Sequence, residues 1–248
     1  MLDLSALDKI DPGTRLDDLN KTRLAAVQRG LAICAHPLGE ADGLIGPKTR
    51  NAFAELVQDI GNGHPSVVSD AVIDHLKKKA KRLRTIFAIP ADSKDEVKDS
   101  IAAMFRFIGL GLKTQIAYGL ATAQWETGHT FEPVKEAYWL SEKWRRDNFR
   151  YYPYYGRGYV QLTWENNYKV YSSILGLDLV GDPDLALRHD ASLFTIAHGM
   201  KIGTFTGRKL EDYVSKGKTD FLEARRVING TDKQKEIADL AEDYLDEL

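Results

Sequence analysis

The run from Ile116 to Trp125 is apolar with helical continuity, and it breaks at Thr127-Gly128 into a loop that carries Glu132 and Glu136 close behind Glu126. An apolar helix of this kind has to be buried, so it demands a helical core around it. It also delivers one carboxylate at the buried end of a helix and two more in the loop that follows. A carboxylic acid kept in an apolar setting and a second carboxylate left solvated form an acid/base pair that can cleave a glycosidic bond with no metal or cofactor. Trp125 and its helix are expected to desolvate Glu126, and Glu136, beside Lys135, suits the ionised partner. Glu132 stands close enough to compete for that second role. An inverting reaction asks for carboxylates about 6.5–9.5 Å apart, a span that a helix end and its following loop can reach.

Composition narrows the class further. The chain has 248 residues, 43% of them hydrophobic, enough for one large domain or a small and a medium one. The formal net charge of −2 supplies no global field for nucleic acid, and none is expected as a partner. Cys34 is the single cysteine, so no internal disulfide can form; among Leu31 and Ile33 it reads as a core residue. His36, His64, His75, His129, His189 and His198 show no metal-ligand spacing, so neither metal nor cofactor is expected. The start, Met1-Leu2-Asp3-Leu4, lacks the basic and apolar regions of a secretory signal, and no run approaches a membrane span.

Taken in order, residues 1–19 read as polar and irregular. Asn20 is placed to cap a helix through Leu24, Val27 and Leu31. The glycines of Asp42-Gly43-Leu44-Ile45-Gly46 give a tight turn, and Pro47 suits the first position of the next helix, with Ala52, Phe53, Leu56 and Val57 inward. A third helix is expected over 66–84, ending in a basic cluster (Lys77, Lys78, Lys79, Lys81, Arg82, Arg84) that reads as a solvated helix terminus. Residues 86–94 read as a linker between a helical domain over 1–85 and a second over 95–248, the latter able to fold alone. Further helices are expected over 94–108, from Thr114 as cap to Glu126, near 141–146, and over 190–201, 210–214, 219–227 and 233–248. The segment Tyr151 to Tyr168 is dense in aromatics, glycine and amides. Rigid aromatic faces suit sugar rings and amides suit hydroxyls and N-acetyl groups, although an aromatic core would look the same.

Two resemblances sharpen this reading. Val27-Gln28, Asp42-Gly43-Leu44-Ile45-Gly46-Pro47-Lys48-Thr49 and Ala52-Phe53 resemble the small helical peptidoglycan-binding module of wall hydrolases, which implies a wall-binding role for Asp42, Gly43, Gly46 and Thr49. Tyr155-Gly156-Arg157-Gly158-Tyr159-Val160-Gln161-Leu162-Thr163-Trp164-Glu165-Asn166-Asn167-Tyr168 closely resembles the signature of family 19 glycoside hydrolases, the plant-type chitinases and related bacteriophage endolysins. Trp125-Glu126-Thr127-Gly128 and Arg226-Val227-Ile228-Asn229-Gly230 resemble two further segments of that family, with Trp125 where its members carry His.

The resemblance implies an all-α, lysozyme-like catalytic domain with Glu126 as general acid, Glu136 as general base and Thr163 holding the attacking water. It implies substrate contacts from Tyr155, Arg157, Gln161, Asn167 and Asn229. The expected function is that of a monomeric phage endolysin that hydrolyses the glycan strands of peptidoglycan without inserting in a membrane. It would wait in the host cytoplasm for a holin-like pore and then lyse the cell. A chitinase on the same scaffold, a lytic transglycosylase and a non-catalytic wall binder are the rival readings.

Overall fold

The computed structural model describes residues 2–248. In chain order its helices are α1 (Lys21–Ile33), α2 (Pro47–Ile60), α3 (Asp70–Phe87), α4 (Lys94–Ile108), α5 (Lys113–Glu126), α6 (Glu142–Asn148), α7 (Glu165–Leu175), α8 (His189–Ile202), α9 (Phe221–Ala224) and α10 (Gln234–Glu247). Six two-residue strands form antiparallel ribbons: β1 (Thr14–Arg15) with β2 (Val67–Val68), β3 (Val134–Lys135) with β4 (Arg157–Gly158), and β5 (Val214–Ser215) with β6 (Lys218–Thr219). The fold is mainly helical, and it divides into two compact units.

The first unit runs from the N-terminus to Thr85 and also takes in Lys169–Leu177. The Asn20 side chain accepts from the Arg23 N–H and starts α1, and Pro47 opens α2. Residues 2–19 are less irregular than their composition suggests. Short 3-10 turns at Ser5–Lys9 and Leu16–Asp18 bury Leu7 and Leu16, and Leu4, Ile10 and Leu19 join the same core. The helix expected from residue 66 starts later, because Val67 and Val68 pair with Arg15 and Thr14.

The second half of α7, a helix not foreseen in the sequence, belongs to this unit as well. The Leu2 N–H donates to Leu175 O at 2.7 Å, Arg29 Nε to Ser173 O at 2.9 Å, and the Ala41 N–H to Ser173 Oγ at 2.9 Å. Tyr171, Ile174 and Leu175 are buried. Residues 169–177, expected within the second domain, thus group with the first unit. Removing residues 1–85 would strip those three side chains of their neighbours.

The second unit comprises Ile86–Tyr168 and Asp178–Leu248. Its axis is α5, buried on all sides from Gln115 to Ala123. Helices α4, α8 and α10 pack on it. A Cβ at Gly119 would lie 2.3 Å from the Phe105 ring, so glycine is what lets α4 and α5 approach. The helix begins after Leu112, not at Thr114: Leu112 is extended, and its N–H donates to Gln115 Oε1 at 3.2 Å. The helices expected over 210–214 and 219–227 are largely replaced. The Lys216-Gly217 turn closes the β5–β6 ribbon between a 3-10 turn, Leu210–Asp212, and short α9.

Candidate active site

Helix α5 stops at Glu126 for a local reason. Thr127 Oγ1 donates back to Ala123 O at 2.7 Å and accepts from the Phe131 N–H at 3.0 Å, and Gly128 takes a left-handed turn at φ +60°. The chain then re-enters as β3. Pairing of Lys135 with Arg157 and of the Glu136 N–H with Gly156 O, at 2.7 Å, brings Glu136 against the glycine turn of the aromatic segment. The result is a cleft of about 610 Å³ whose walls include both Glu126 and Glu136.

The two carboxylates have different partners. Glu126 Oε1 accepts from Arg225 at 2.5 Å, with the Glu126 side chain 14% exposed and that of Arg225 4% exposed. The expected apolar setting is thus corrected, since a buried guanidinium faces this acid. Glu136 Oε1 accepts from the Tyr151 hydroxyl at 2.8 Å and its Oε2 from the Gly156 N–H at 2.9 Å. Burial and the adjoining Glu136 carboxylate push the Tyr151 hydroxyl up to about 12, so it remains a donor across the neutral range. A Cβ at Gly156 would meet Gln161 Oε1 at 2.6 Å and Glu136 Oε2 at 3.2 Å; the absent side chain is what lets this backbone amide reach the carboxylate. Glu132 is exposed and is not part of the cleft wall.

The remaining expected residues divide into two sets. Thr163, Gln161, Asn167 and Asn229 line the cleft. Thr163 Oγ1 donates to Gln161 O at 2.8 Å, so its lone pairs remain available to accept from a water. Asn167 Nδ2 donates to Thr163 O at 2.9 Å, and Asn229 Oδ1 accepts from the Gly230 N–H at 2.8 Å. The Gln161 amide nitrogen donates to Val134 O and Gly158 O, each at 3.2 Å, and so braces the β3–β4 ribbon.

Tyr155 and Arg157, expected to touch substrate, lie behind the wall. Tyr155 is fully buried and its hydroxyl donates to Glu142 Oε2 at 3.0 Å. Arg157 is 3% exposed, stacks 3.8 Å from the Tyr155 ring centroid, and donates to Asp184 Oδ1 at 2.8 Å. Asp184 also accepts from Lys135 at 2.6 Å, so one carboxylate ties the ribbon from both strands.

Several groups at the cleft escaped the sequence reading. Arg225 directly precedes the quoted Arg226–Gly230 segment, but two adjacent arginines look alike until the fold decides which one is buried. Tyr151 and Trp164 sit inside the aromatic segment, and Tyr138 and Trp139 follow Glu136. Trp139 is 72% and Tyr138 61% exposed, an unusual display for rings unless something stacks on them. Backbone strain gathers at the same place, with φ +50° at Ala137, +55° at Gln161 and +76° at Trp164. Among the described residues no cluster of three or more His, Cys, Asp or Glu could hold a metal ion, and no helix is long and apolar enough to cross a membrane.

A helical domain with two carboxylates, exposed rings and amides in one open cleft has the architecture of a glycan-processing site. The chain belongs to glycoside hydrolase family 19: the family described as chitinase class I matches residues 79–202, half of the chain. Chitinase 8 of Oryza sativa subsp. japonica is 64% identical over 33 residues, 13% of each chain. An endochitinase of Arabidopsis thaliana is 29% identical over 147 residues, 58% of this chain and 44% of its own. The chain spans less than half the length of these curated relatives. Chitinase C from Streptomyces griseus aligns at a TM-score of 0.43 and 20% identity, over 67% of this chain and 74% of that one.

Proposed function

We propose that this chain is an endolysin of bacteriophage type that hydrolyses the β-1,4 bonds of bacterial peptidoglycan with inversion. Glu126 is the acid, Glu136 the base. The observation that carries the reading is the pair of carboxylates in one open cleft, each with an oxygen fixed by donors from the cleft wall. Arg225 occupies Glu126 Oε1, so the proton given to the glycosidic oxygen travels on Oε2. Glu136, oriented by Tyr151 and Gly156, takes a proton from a water that Thr163 helps to hold, and the hydroxide adds to the anomeric carbon from the face opposite the leaving oxygen. Asn167 and Asn229 present amide groups to the sugar substituents, and Glu132 takes no part.

The first unit serves to hold the enzyme on the wall. Its Asp42–Thr49 loop is built from within: Gln28 Nε2 donates to Leu44 O and Thr49 Oγ1, each at 3.0 Å, and Gln28 Oε1 accepts from the Gly43 N–H at 2.7 Å. In this reading Asp42, Gly43, Gly46 and Thr49 shape the loop, and a cavity of about 710 Å³ beside it, with the exposed Leu44 on its rim, takes the wall polymer. The monomeric enzyme waits in the host cytoplasm and is released through a holin-like pore to lyse the cell.

The second reading is a chitinase, the activity that the similar proteins of Oryza sativa and Arabidopsis thaliana are named for. Digestion of purified sacculi and of chitin oligosaccharides, followed by NMR of the first anomer and mass spectrometry, separates the two. Solubilised sacculi with an initial α-anomer are expected. Cleavage of chitin alone would transfer the assignment to the second reading, and 1,6-anhydro ends as the main product would replace hydrolysis by transglycosylation.

A further inference from the structure

Beside the cleft, on one of its lining rings, stands a positive charge that neither carboxylate uses. Arg150 is exposed, and its guanidinium lies 5.0 Å from the ring centroid of Trp164. Trp164 lines the cleft and is 46% exposed. The same indole packs edge-on to Tyr151, with centroids 5.1 Å apart, and Tyr151 donates to Glu136. Arg150 therefore sits one aromatic ring away from the residue that orients the proposed base.

The cations nearest the two carboxylates are already engaged. Lys135 is bound to Asp184 and Arg225 to Glu126. Arg150 makes no ion pair among the described residues, while nearby Lys143 and Arg145 do, with Asp147 and Glu142. Stacking on an indole orders a guanidinium without consuming its N–H donors, and those donors form a fork that matches a carboxylate.

We propose that Arg150, held by Trp164, is a specificity-determining residue that recognises a carboxylate on the glycan and so favours an acidic N-acetylhexosamine polymer over a neutral one. This rests on the glycan-hydrolase reading of the cleft and goes beyond it by naming the chemistry that selects the substrate. A sugar seated at Trp164 meets a fixed positive charge. A carboxylate-bearing substituent answers that charge, whereas an uncharged N-acetylglucosamine chain leaves it to water.

The test compares kcat/KM of the whole chain and of Arg150→Gln on three soluble substrates: peptidoglycan fragments, the same fragments with their carboxylates amidated, and chitin oligosaccharides. The ratio of acidic to amidated activity is expected to fall about fivefold in Arg150→Gln, the scale of one exposed charge pair. Raising the salt should lower that ratio in the unmodified chain and much less in the variant. Arg150→Lys, which keeps charge but loses the planar fork, should recover only part of the preference. A ratio unchanged by Arg150→Gln, or a loss equal on all three substrates, would overturn the proposal. If the unmodified chain cleaves none of the three, the glycan-hydrolase reading itself fails, an outcome distinct from a lost preference.

Discussion

The two glycine-bearing loops of this protein invite comparison. In the first unit, the Asp42–Thr49 loop turns its polar groups inward onto one buried glutamine, Gln28, and shows an apolar residue, Leu44, to solvent. In the second unit, the turn around Gly156 does the reverse. Its backbone N–H and the nearby Tyr151 hydroxyl are aimed at a carboxylate in an open cleft, and strained residues surround it. Both loops stand out in the sequence by their glycines and polar residues. A motif whose hydrogen bonds close on themselves builds a shape, whereas one whose hydrogen bonds hold an ionisable group at a cavity prepares chemistry.

The largest effect that would break this contrast is at Glu126. Glu126→Gln should lower glycan turnover by at least about 10²-fold and, by leaving the buried Arg225 guanidinium without its counter-charge, also lower the melting temperature, while Glu132→Gln stays close to the parent in both. A folded Glu126→Gln protein with parental activity would remove the residue from the chemistry and leave the cleft a binding groove.

Paired glycine substitutions sharpen the comparison at the next level. A Cβ at Gly43, where φ is +73°, would fall 2.2 Å from the Lys21 carbonyl oxygen, a backbone atom that cannot swing aside. Gly43→Ala should cost about 2–4 kcal/mol of stability and spare cleavage of soluble fragments. At Gly156 the added Cβ meets side-chain atoms of Gln161 and Glu136 instead. Gly156→Ala should therefore cost about tenfold in kcat with a smaller loss of stability, because it displaces the proposed base more than the fold. Calorimetry and kinetics on both variants test this, and the opposite pattern would erase the distinction between the loops.

The smallest expected effect is a pH dependence at the brace behind the cleft. Burial alone would raise the Asp184 carboxyl, but its hydrogen bonds and charge contacts with Lys135 and Arg157 outweigh that and hold it below its ordinary 3.8. A carboxyl lowered in the folded state adds stability that is present above 3.8 and is lost as the pH falls below it. Because the Asp184 side chain is 48% exposed, screening limits the term to less than about 1 kcal/mol. Acid melts of the parent and Asp184→Asn should converge by that amount as the pH drops, and parallel curves would assign the brace no electrostatic part.

What the sequence by itself determined is what local chemistry dictates. Asn20, Pro47 and Ser93 start their helices through groups within a few residues of themselves, and an apolar run such as Ile116–Trp125 has to lie in a helical core. The linear order of Glu126, Glu136 and the Gly156–Asn167 segment was enough to nominate the site. Tertiary structure alone decided which nominees reach the cleft. Tyr155 and Arg157 sit two residues apart in a glycine-rich turn, yet both are packed behind the wall, whereas Gln161, Thr163 and Asn167 face it. Arg225 meets Glu126 across 99 positions, and Lys169–Leu177 joins a unit whose other residues end at Thr85. These contacts are long-range, and a sequence encodes them only through the packing of the whole chain. Capping, periodicity and turns act over a handful of residues, but the pairing of a buried guanidinium with a carboxylate depends on which helix faces are brought together.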